Sequence, residues 1–116
     1  MNQKGLLKEQ RINEEQQEEN QELKIVLERN IAETEQLFAW ERRHNERVIS
    51  YFHRQEEGHY FDEIIEDARR SEQRFFDDMA DGQEQLNNDN RRLTKENDLL
   101  YEAQLQLLKE EAEADG

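Results

Sequence analysis

Between Ile65 and Leu107 a single seven-residue repeat picks up Ile65, Met79, Leu86, Leu93, Leu100 and Leu107, and only Glu72 breaks it. An apolar residue at every seventh position keeps one line of side chains facing one way only if the helix winds around another helix, so this spacing predicts a supercoiled seam. No proline interrupts it.

Composition sharpens that constraint. Of the 116 residues 33% are apolar and 40% are charged, too little grease to fill a globular centre, so the chain must bury a stripe. Glu, Gln, Leu and Arg dominate, and glycine occurs four times, the bias of long helices. The expected fold class is all-α: a long antiparallel two-helix hairpin, coiled-coil-like, forming one domain over 1–116.

A second stripe precedes the leucine repeat. Leu23, Leu27, Ile31, Thr34, Phe38, Glu41, Asn45, Val48 and Phe52 follow a 3-4 spacing. Val26, Leu37, Trp40 and Tyr51 widen it to roughly half the helix circumference, more than one partner helix covers. The first twenty residues hold only Leu6, Leu7 and Ile12 as anchors and read as a polar lead-in that frays. Gly58, in Gln55-Glu56-Glu57-Gly58-His59, is the expected stop of the first helix, because glycine adopts a left-handed conformation without steric cost. Acids at Asp62, Glu63, Glu66 and Asp67 then favour the start of the second. The expected bounds are about 6–56 and about 61–112, with a turn at about 57–60. Gly82 is a rival break point, but the leucine repeat passes through it in register, which leaves at most a kink.

With a turn there, facing residues have numbers adding to about 117, each arm being roughly 75–80 Å long. Phe52 then meets Ile65, Val48 and Ile49 meet Ala68, and Phe38 and Trp40 meet Phe75, Phe76 and Met79. Ile31 meets Leu86, and Leu23 meets Leu93. In the second arm Asn90, Asn97 and Gln104 fall between the leucines. They are either a solvated flank or a device that fixes register at some expense of stability.

Function classes fall away by charge and by missing parts. The net charge of −14 repels phosphates, which makes nucleic acid a poor partner, and no membrane insertion is expected of a chain whose longest apolar run, Leu37-Phe38-Ala39-Trp40, has four residues. That run is also too short for a signal peptide. There is no cysteine. A leucine-zipper transcription factor would need a basic segment before the ladder, and Arg69, Arg70 and Arg74 stand among acids instead. Glu41-Arg42-Arg43-His44 and Glu56-Glu57-Gly58-His59 share the Glu-x-x-His spacing of di-iron bundles, a pattern common by chance in so acidic a chain. His53 has no special context. No nucleophile has a base beside it, and no glycine-rich phosphate loop exists, so no catalytic residue, cofactor or metal ligand is assigned and enzymatic activity is not expected.

What remains is binding. Phe38, Trp40, Tyr51, Phe52, Tyr60, Phe61, Phe75 and Phe76 are eight of the nine aromatics, clustered near the expected turn. Aromatics anchor interfaces as well as cores, so the candidate partner-binding residues are Phe38, Trp40, Tyr51, Phe52, Phe61, Ile65, Phe75, Phe76, Met79, Leu86, Leu93 and Leu100.

The segment from Tyr60 to Phe76, YFDEIIEDARRSEQRFF, with the repeat from Leu86 to Leu107, resembles the small helical proteins encoded beside LXG toxins of the Gram-positive type VIIb secretion system. The resemblance covers roughly half the chain. It implies a WXG-like hairpin that acts as a targeting chaperone, binding the helical N-terminal domain of a toxin for export, in company with a second small hairpin. It also implies a cytoplasmic protein co-exported with its toxin. The chain departs from the pattern in having Glu41 and Arg42 after Trp40 and no Trp-x-Gly, and Tyr101 is followed four places later by Leu105 where an export signal would carry an acid. The alternative is a self-associating scaffold, a homodimeric four-helix bundle when alone.

Overall fold

The computed structural model describes residues 2–52 and 57–115. Two helices account for nearly all of them: α1, Gln3–Phe52, and α2, Glu57–Asp115. The expected all-α hairpin is therefore present, with the chain reversing just before Gly58. Gly58 itself does not end α1; it lies in the first turn of α2, as do the other residues of the expected turn at 57–60. Glycine permits a helix stop without requiring one. The expected end of α1 near 56 and His53 fall outside the described residues.

The start of α1 is firmer than a fraying lead-in. Asn2 precedes the helix and its Oδ1 accepts the Gly5 N–H at 2.7 Å, while the Leu6 N–H donates to the Asn2 carbonyl at 3.0 Å. This is an N-cap, which satisfies a donor that the first helical turn otherwise leaves orphaned.

The chain groups into two compact units: unit 1, Met1–Ile25 with Glu84–Gly116, and unit 2, Val26–Gln83. In both, a segment of α1 runs antiparallel to a segment of α2. Unit 1 shows this in three cross-helix hydrogen bonds, Gln10 to Gln104, Asn13 to Leu93 and Asn20 to Leu86. Unit 2 shows it in Phe38 against Phe75, Arg42 against Glu72 and Phe52 against Phe61.

The half-buried residues of unit 2 give the heptad directly. On α1 Ile31, Phe38, Asn45 and Phe52 occupy a, and Leu27, Thr34 and Val48 occupy d. On α2 Ile65, Glu72 and Met79 occupy a, and Phe61, Ala68, Phe75 and Gly82 occupy d. Gly82 is helical, and a Cβ there would sit 3.7 Å from Leu27 Cδ2, so the helices pack at ordinary contact distance beside it without a break.

Several facing pairs differ from expectation. Phe38 does meet Phe75 and Phe76, but Phe52 stacks on Phe61 where Ile65 was expected. The carbonyls of Leu86 and Leu93 are met by Asn20 and Asn13, and Leu23, expected opposite Leu93, is exposed.

Candidate protein-interaction site

Two quite different seams emerge from the residues upward. In unit 1 the buried side chains are Leu6 and Leu93, each 3% exposed, together with Asn13 and Asn20. Each asparagine reaches across to a leucine of the ladder. Asn13 Nδ2 donates to the Leu93 carbonyl at 2.9 Å, and Asn20 Nδ2 donates to the Leu86 carbonyl at 3.1 Å. Gln17 Nε2 donates in turn to Asn13 Oδ1 at 2.6 Å, and Gln10 Nε2 to Gln104 Oε1 at 2.9 Å. No buried side-chain nitrogen or oxygen among the described residues lacks a partner. A buried amide costs little when its hydrogen bonds are made and a great deal when they are not, so this ladder holds one register and penalises others.

On α2, the sequence leaves Asn90, Asn97 and Gln104 as either a solvated flank or a register device. Asn97 and Gln104 are half-buried, but Asn90 is exposed and Asp89 takes the inward place. The sequence signal for the α1 asparagines was present: Leu6, Asn13, Asn20 and Leu27 recur at intervals of seven. Their polarity hid them from a search for apolar periodicity.

Unit 2 is apolar by comparison, and nothing in it is buried among the described residues. Phe38 is the hub, its ring edge-on to Phe75 at 5.6 Å and 74° and to Phe76 at 5.8 Å and 62°. Toward the reversal Phe52 stacks on Phe61 at 5.0 Å, and Tyr51 packs on the edge of Phe52 at 5.0 Å. Glu72, the one gap in the apolar repeat, is held by an ion pair with Arg42 across the seam. It is a polar clasp between the helices at the point where the ladder lacks an apolar rung. Beside it lies a shallow groove walled by Phe38, Ile49, Ile65 and Ala68, with Arg42, Arg69 and Glu72 on its rim.

The candidate residues sort accordingly. Phe38, Phe52, Phe61, Ile65, Phe75, Phe76 and Met79 line the seam of unit 2 half-buried, as Leu86 and Leu100 do in unit 1. Leu93 is enclosed and serves the core of unit 1. Trp40 and Tyr51 are 60% and 76% exposed. No protein-family model matches this chain, and neither does a curated protein or a solved structure. Function therefore has to be argued from the surface itself.

Among the described residues no group of three or more His, Cys, Asp or Glu is arranged to hold a metal ion. His44, of the Glu41-x-x-His44 string, stacks flat on Trp40 at 5.3 Å and 3°. Among the described residues no helix is long and apolar enough to cross a membrane.

Proposed function

We propose that this chain is a non-enzymatic helical adaptor whose aromatic unit docks on helices of a partner protein, the partner being the helical N-terminal domain of an LXG toxin destined for type VIIb secretion. One observation carries the docking role. Unit 2 holds eight of the nine aromatics, and none of its described side chains is buried. Rings that bury about 150–250 Å² each are the largest single contributors to core and interface energy, so leaving all of them part-open points to a surface completed by another molecule.

The choice of partner rests on the resemblance of the Tyr60 to Phe76 segment and the leucine repeat. Co-expression with the N-terminal domain of the toxin encoded beside it, followed by size-exclusion chromatography, tests the reading. Co-elution at micromolar concentration is the expected result. Separate elution, with a homodimer that ignores the domain, would favour the self-associating scaffold instead.

A further inference from the structure

Among the described residues, the exposed large apolar side chains of unit 2 number six: Val26, Leu37, Trp40, Tyr51, Tyr60 and Ile64. Placed on the heptads fixed by the half-buried residues, Val26, Trp40 and Tyr60 occupy c, and Leu37, Tyr51 and Ile64 occupy g. Positions c and g adjoin on a helix surface, and in an antiparallel pair the g positions of both helices flank the same side of the seam. The opposite side is marked independently, because Arg42, Ile49 and Arg69, all e positions, line one groove. All six exposed side chains thus lie on one face of unit 2. They are 44% to 76% exposed.

Charge selects what covers it. The polar c and g positions of the same face carry the acids Glu33, Asp67, Asp78 and Asp81 against the two arginines Arg47 and Arg74, and all six are exposed. A second copy would bring the same acidic face and a further charge of −14, which works against pairing. We infer that this face receives an amphipathic helix of another protein whose apolar ridge is flanked by lysines or arginines. The inference rests on the adaptor reading and deepens it by naming the face and the charge of its occupant.

Trp40 is the only tryptophan, so the full chain carries its own reporter. The probes are two monomeric amphipathic peptides of about 28 residues, four heptads, with the same leucine ridge and either lysine or glutamate flanks. The lysine peptide should shift Trp40 emission to the blue, and raising salt from about 0.05 to 0.5 M should weaken it about tenfold or more as the Debye length contracts. Leu37→Glu should weaken it by about tenfold or more, whereas Leu105→Glu, exposed in unit 1, should leave it unchanged. Equal binding of the glutamate peptide, or no binding of either, overturns the inference. Dimerisation that strengthens with salt and quenches peptide binding overturns it in favour of a second copy. Toxin-domain binding that persists through Leu37→Glu without a Trp40 shift overturns the assignment of the face while leaving the adaptor role standing.

Discussion

Replacing Asn13 and Asn20 together by leucine separates stability from register in this fold. Each asparagine is buried, and each gives one hydrogen bond to a carbonyl of α2. Those carbonyls lie well inside α2, where helical N–H groups already occupy them, so removing the amides orphans no acceptor. Gln17 loses its acceptor on Asn13 but is only half-buried and can turn to water. Per site the loss is one hydrogen bond, about 0.5–1.5 kcal/mol, against about 1.5–3 kcal/mol for burying a leucine. The net expectation is a gain of about 1 kcal/mol per site, and because the sites stand seven residues apart, roughly 10 Å along the helix, the two effects should add. Urea unfolding followed by circular dichroism should therefore show a higher midpoint. The unit 1 seam would then offer leucines at 6, 13 and 20, with no amide to distinguish one heptad setting from the next. Because the chain has no cysteine, spin labels on cysteines at Glu9 and Ala103, which line one groove of unit 1, can read the register. A single distance in the parent should broaden to include a second population displaced by about 10 Å in the double variant. A lower urea midpoint refutes the energetic half of this reasoning, and a single unchanged distance refutes the register half.

Three smaller perturbations probe the two units. Gly82→Ala should raise stability by about 1 kcal/mol in thermal unfolding, since a helix-interior glycine is costly and the new Cβ meets Leu27 at an ordinary 3.7 Å. Arg42→Glu and Glu72→Arg should each destabilise, and the double reversal should recover part of the loss. A double-mutant cycle should give a coupling of about 0.2–1 kcal/mol, because Arg42 stays largely in water. Phe38→Ala should cost about 2–3 kcal/mol, below the full range for a buried phenylalanine because this ring is only half-buried, yet more than a surface change because it removes two edge-on ring contacts.

What could be read from the sequence was whatever repeats in apolar residues. Ile65, Met79, Leu86, Leu100 and Leu107 are half-buried and Leu93 buried, and the α1 stripe from Leu27 to Phe52 faces inward except at Glu41. Val26, Leu37, Trp40 and Tyr51, which widened that stripe, are exposed. What stayed hidden followed from polar side chains that act through hydrogen bonds. Asn2 caps α1, Arg42 completes the ladder at Glu72, and Asn13 and Asn20 extend the α1 seam far beyond the point where its apolar residues thin out. Hydropathy counts such residues as surface. The reversal near Gly58 was legible because a glycine marks where a helix is free to end, while the exact helix bounds are set by packing on both sides of it.

The distribution of burial runs opposite to the distribution of hydrophobicity. Unit 1, with asparagine and glutamine in its seam, contains every buried side chain among the described residues, whereas unit 2, with the aromatic rings, contains none. A chain stabilised by its own core would place its largest apolar side chains where they lose most water, since that transfer is the dominant favourable term in folding. Here polar hydrogen bonds specify how the helices of unit 1 meet, while the aromatic rings of unit 2 stay part-open. Such an inversion is costly for a solitary hairpin, because part-exposed aromatics invite indiscriminate association. Under the adaptor role proposed above, a third helix laid on the c and g face would bury Trp40, Tyr51 and Tyr60 in a core shared by two molecules, and the area that folding leaves open would contribute to affinity.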